Sequence, residues 1–192
     1  MKIEIVCLLD KSGSMHGLEG DVIGGINTLI EEQQKVEGEA NLMLVFFDTE
    51  TYTKYDRVPL GEVVALIATD YRPHGATALL DAIGNTAKNT GEALAALPES
   101  ERPDKVLFVI QTDGQENSSK EYTKDQIATM IKHQEENYNW QYIYHGANQD
   151  SFSEAGAIGI QYGNTVNFAS NPDGLRNSYV SMNTSMTQSR TK

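Results

Sequence analysis

The sequence is short of the residues that stabilise secreted and membrane-spanning proteins. Cys7 is its one cysteine, so no internal disulfide can form, and such usage suits a reducing compartment. No stretch approaches the ~20 uncharged apolar residues needed to cross a bilayer. The first residues, MKIEIVCLLD, run straight into a strand-like pattern and lack the basic, apolar and small-residue succession of an export signal, so a cytoplasmic location is expected. Basic residues are also scarce: 15 Lys and Arg against 27 Asp and Glu leave a formal charge of −12. That balance repels polyphosphates and anionic lipid, which argues against nucleic acid and membrane as partners and favours cations or basic groups. There is no GxxxxGK[ST] phosphate loop, no HExxH-type spacing and no GxSxG elbow.

What is present is an alternation of apolar, β-branched runs with longer helical patterns. It points to crossover units on a largely parallel sheet. The 192 residues suffice for one domain, 1–192, with a core that buries roughly 70% of the unfolded surface. IEIVCLL (3–9), LMLVFF (42–47), VLFVIQ (106–111), WQYIY (140–144) and TVNF (165–168) read as strands, and Cys7 and Trp140 read as core. DTETYTKYD after the second strand leaves room only for a hairpin, so the partner there is antiparallel and sits at a sheet edge. Helices are expected over 18–36, 62–68, 79–97, from 123 or 124 to 137, briefly over 150–155, and from 173 onward. In the last, Leu175, Tyr179, Met182 and Met186 form one thin apolar stripe that covers the sheet and would permit sliding. The fold class that results is α/β: a doubly wound, mostly parallel six-stranded sheet with one antiparallel edge strand and helices on both faces.

In such a sheet, ligands gather beyond the carboxyl ends of the strands. Three short segments fall there. LLDKSGSM carries Asp10, Ser12 and Ser14 at every second position, and an extended chain would turn all three to one side. PHGATAL places Thr77 just before a helix, and VIQTDG places Asp113 just after a strand. Two carboxylates and three hydroxyls form an all-oxygen donor set, suited to Mg²⁺ or Mn²⁺. Taken singly, Asp10, Ser14 and Thr77 could each cap a helix, and Asp113 could open a turn with Gly114.

Together the three segments resemble the von Willebrand factor type A (vWA) family and its metal-ion-dependent adhesion site. D-K-S-G-S matches the family's Asp-x-Ser-x-Ser, G-A-T its Gly-x-Thr, and T-D-G its Asp-Gly. The resemblance implies a Rossmann-like vWA fold over nearly the whole chain. It also implies that the serines and the threonine touch the metal, the aspartates act through water, and one position stays open for an Asp or Glu of a protein partner. Intracellular relatives commonly serve as adaptors, some alongside AAA-type ATPases. The function expected is therefore a metal-dependent protein-binding module without catalysis. A metal-assisted phosphohydrolase using the same cation is the alternative, although Ser12 stands where a phosphoaspartate mechanism would want a second carboxylate. His16, His74 and His145 are expected in loops on the ligand-binding face, and Asp48 and Glu50 on an acidic rim.

Overall fold

A computed structural model of the chain describes residues 1–147 and 150–191. Six strands form a single sheet in the order β3-β2-β1-β4-β5-β6. They are β1 (Lys2–Asp10), β2 (Glu39–Phe47), β3 (Thr51–Pro59), β4 (Lys105–Thr112), β5 (Trp140–Ala147) and β6 (Thr165–Phe168). All neighbours are parallel except β2 and β3, because the 48–50 turn between those two is too short for a crossover. The strand order reverses between β1 and β4, where Leu9 lies beside Gln111, so the crevice of this doubly wound sheet opens just beyond Asp10 and Thr112.

The helices are α1 (Glu19–Gln34), α2 (Leu79–Ala95), α3 (Lys124–Tyr138), α4 (Ser151–Ala157) and α5 (Pro172–Arg190). The two-residue period of β1 divides the core between the faces of the sheet. Ile5, Cys7 and Leu9 enter the layer under α1 and α5, while Val6 and Leu8 enter the layer under α2 and α3. Both faces of the central strands are covered, which explains their unbroken apolar runs. Burial in this layer drives the Cys7 thiol up to about 12, where it behaves as a small hydrophobe.

The segment expected as a helix over 62–68 is not one. Two 3₁₀ turns, Leu60–Glu62 and Ala68–Asp70, flank an extended stretch. The Asn27 side chain of α1 holds that stretch by accepting from Leu66 N (2.7 Å) and donating to Leu66 O (3.0 Å). Those two bonds replace the helical ones, and they let Val63 and Leu66 both reach the core.

α5 carries the expected stripe of Leu175, Tyr179, Met182 and Met186, all buried, but it is held by more than that stripe. The Tyr179 ring lies so close to Gly25 of α1 that a Cβ there would come within 2.2 Å of it. At the helix's far end, the buried Arg190 guanidinium donates to Gln33 O (2.7 Å), Gln33 Oε1 (3.0 Å) and Val36 O (3.2 Å) at the end of α1.

Candidate metal centre

β1 ends at Asp10, and the chain then enters a 3₁₀ turn, Gly13–Met15, in place of the extended run expected from its sequence. The turn still brings Ser12 Oγ and Ser14 Oγ to 3.1 Å. Ser14 Oγ donates to Asp113 Oδ1 at 2.6 Å across the switch point. Asp10 is pinned in place: its Oδ1 accepts from Ser12 N (2.7 Å) and its Oδ2 accepts from Thr112 Oγ1 (2.6 Å). Thr77 comes from the third loop. A Cβ on Gly114 would lie 3.4 Å from Thr77 Oγ1 and 3.7 Å from Ser14 Oγ, so these two hydroxyls face the same small space.

None of these side chains performs the capping role open to it from sequence alone. α1 begins after Leu18 and α2 after Ala78, and the first amides of α2 are bonded by Glu116 Oε2 (2.9 Å to Leu80 N) and Ser119 Oγ (3.1 Å to Asp81 N) instead. Asp10 and Asp113 are each only 2% exposed. Burial raises the Asp10 carboxyl above its ordinary range; hydrogen bonds from Ser12 and Thr112 act against that rise, and the Asp113 charge adds to it. Among the described residues no cationic side chain pairs with Asp10.

This arrangement fits a small hard cation. Two adjacent ligands of an octahedral ion at about 2.1 Å stand about 3 Å apart, which is the separation of the serine oxygens. A hydroxyl that donates to Asp113 keeps its lone pairs for a metal. No group of three or more His, Cys, Asp or Glu gathers among the described residues, so the donor set here depends on hydroxyls, and hard oxygen donors select Mg²⁺ or Mn²⁺ over softer ions.

The supporting shell was not legible in the sequence. Asn117 Oδ1 accepts from Thr77 N (2.9 Å), and Asn117 N donates to Thr77 O (3.1 Å), so one residue grips the Thr77 backbone twice. Tyr71 OH donates to Asp10 O (2.6 Å), and Ser170 Oγ donates to Asp113 Oδ2 (3.2 Å). These contacts span 40, 61 and 57 residues, and no local pattern marks them. Two further bonds, Gly13 N to Gly75 O (3.1 Å) and His74 N to Lys11 O (2.9 Å), join the first loop to the Thr77 loop.

Two expectations about the surroundings are corrected. His145 is not in a loop: it lies on β5, fully buried, because the strand runs three residues beyond the apolar WQYIY to pair with β6. Asp48 is not a rim residue. It is buried, and its Oδ2 faces Lys11 Nζ (3.1 Å) and His74 Nδ1 (2.8 Å), with the Lys11 ammonium over the Tyr52 ring at 3.6 Å. Of the three histidines expected in loops on the ligand-binding face, His16 and His74 are exposed there.

A doubly wound sheet with its oxygen-lined crevice at the β1/β4 switch point places the protein in a definite structural class, and comparison with solved structures specifies it. No family model matches the sequence, and no curated protein is detectably similar to it. Solved structures are similar in fold. Proximal thread matrix protein 1 from the mussel byssus, with a zinc-occupied MIDAS motif, superposes with a TM-score of 0.65 at 14% identity over 96% of this chain and 46% of its own. A von Willebrand factor type A protein from Catenulispora acidiphila gives 0.62 at 16% over 95% and 42%. The manganese-loaded TRAP protein of Plasmodium vivax gives 0.61 at 16% over 92% and 71%. The chain has the von Willebrand factor type A fold. It spans less than half the length of the mussel and Catenulispora proteins.

Proposed function

We propose that residues 1–192 act as a single vWA domain that binds a protein partner through a divalent cation, Mg²⁺ or Mn²⁺, held by Asp10, Ser12, Ser14, Thr77 and Asp113. When bound, the cation supplies an electrophilic position for one Asp or Glu carboxylate of the partner. Ser12, Ser14 and Thr77 offer neutral oxygens, so the ion's charge is not spent on its own protein. Asp113 accepts from the Ser14 hydroxyl and Asp10 accepts from the Ser12 backbone N–H, so the two aspartates fix the loop that carries the serines. The reading is of a binding module, not a catalyst, acting in the cytoplasm as an adaptor in an assembly that contains an AAA-type ATPase.

The observation that carries this reading is the approach of Ser12 Oγ to Ser14 Oγ at 3.1 Å, with Ser14 Oγ hydrogen-bonded to an aspartate 99 residues away. The fold of the zinc- and manganese-loaded neighbours supports a divalent ion at this end of the sheet. The test is partner capture in Mg²⁺, in chelator, and with the variants Asp10→Ala and Asp113→Ala. Capture is expected in Mg²⁺ alone, and only with the native side chains. Undiminished capture in chelator and in both variants refutes the reading.

A further inference from the structure

A cavity of about 290 Å³ opens between α2 and α3 at the edge of the sheet where β4 and β5 begin. Seven residues of extended β4 separate this edge from the metal centre, a distance of about 20 Å. Its back wall is Trp140, the chain's single tryptophan, fixed in a stack with Phe108 (6.2 Å) and Tyr142 (6.0 Å). Leu94 and Val106 complete an apolar interior. The volume falls at the low end of the range for ligand pockets, about 300–1,000 Å³, and suits one or two rings.

The polar groups are placed with equal definition. Among the described residues no carboxylate lines the cavity, although the protein carries a formal charge of −12. Arg102 stands at the wall, held by Nε to Leu97 O (3.1 Å) and Nη2 to Ala95 O (2.9 Å). Those bonds immobilise the guanidinium and leave Nη1 without a partner among the described residues. Gln134 is only 9% exposed. Its Oε1 accepts the Tyr142 hydroxyl, and its Nε2 donates to no group among the described residues while the side chain lines the cavity. A fixed cation, a spare amide donor and an indole wall thus converge on one space that no anionic side chain lines among the described residues.

We propose that this cavity binds a small aromatic carboxylate, with the ring against Trp140 and the carboxylate on Arg102. A flat ring matches the indole and the aliphatic walls, and the guanidinium fork matches a carboxylate. The Gln134 amide then serves a polar substituent on the ring. The site is independent of the metal centre.

The probe is 4-nitrobenzoate, read by quenching of Trp140 emission on the full chain. Quenching is expected to saturate and to be unaffected by chelator. Nitrobenzene, which lacks the charge, is expected to quench only in proportion to its concentration. Arg102→Met is expected to raise the Kd about tenfold or more, the usual weight of a charge-assisted hydrogen bond. Gly91→Leu is expected to abolish saturation: a Cβ at Gly91 meets nothing within 4 Å, so the added side chain fills the cavity in a helix that tolerates it. Linear quenching by 4-nitrobenzoate overturns the proposal. So does a saturable signal that survives Gly91→Leu, that is indifferent to Arg102→Met, or that disappears with chelator.

Discussion

Acidification should weaken this fold through His145. The imidazole is fully buried, with Nδ1 2.9 Å from Ser178 Oγ. That hydroxyl oxygen also accepts from Gln111 Nε2 at 3.1 Å, and His145 Nε2 is buried without a partner among the described residues. Protonation would leave a charged ring with a buried Nε2–H that has no acceptor among the described residues, inside a site that solvates charge poorly. Burial accordingly lowers the His145 pKa from 6.5 to about 4. Between those values the unfolded chain holds a proton that the folded one refuses, so stability falls as the pH drops below about 6.5. The full gap corresponds to about 3 kcal/mol, of which about 2 is lost by pH ~5. Asp10 and Glu4 act in the opposite sense, since burial raises both carboxyls, and a folded state that binds protons more tightly gains stability in acid. The His145 contribution is therefore read as a difference: urea unfolding of the native chain and of His145→Gln, whose amide oxygen can still accept from Ser178, at about pH 8 and about pH 5. The stability advantage of the native chain over the variant is expected to be about 2 kcal/mol smaller at the lower pH. Parallel pH profiles for the two proteins would refute the reasoning.

Saturating Mg²⁺ or Mn²⁺ at about 100 times its Kd is expected to stabilise the native chain by about 2.7 kcal/mol, and a melting temperature that does not move with metal, or that still moves in Asp113→Ala, contradicts the proposed centre. Gly25→Ala drives a methyl into the body of the Tyr179 ring, 2.2 Å from Cδ2 and 2.4 Å from Cε2, and is expected to cost about 1–3 kcal/mol in a denaturant titration, whereas Gly24→Ala, with open space at its Cβ, is expected to be neutral or stabilising. Arg57→Met leaves the buried Glu4 carboxylate without the guanidinium now 3.2 Å away and is expected to destabilise by about 3–5 kcal/mol at neutral pH. Because the folded Glu4 pKa is already raised, that loss shrinks as the pH falls and Glu4 takes up a proton; a pH-independent loss would exclude Glu4 as its cause. Arg190→Met removes donors to Gln33 and Val36 and is expected to speed hydrogen exchange in the last turns of α5, while Arg176→Met, at an exposed pair with Asp173, leaves it unchanged.

The sequence by itself determined whatever depends on neighbours along the chain. Unbroken apolar runs such as VLFVIQ can be satisfied only by strands buried on both faces, and the short DTE turn compels an antiparallel hairpin, so the doubly wound sheet and its one reversed edge follow from local pattern. The three oxygen-bearing segments were legible for the same reason, since each lies directly against the end of a strand or the start of a helix. Tertiary structure decided the rest. Asn27 overrides a helical tendency around 62–68 through two hydrogen bonds to Leu66. Pairing of β5 with β6 takes His145 out of a loop and into the core. Arg190, 157 residues from Gln33, turns a thin apolar stripe into an anchored helix. In each case the deciding partner lies 20 or more residues away, and side-chain hydrogen bonds over such separations follow from register and packing, which no window of sequence contains.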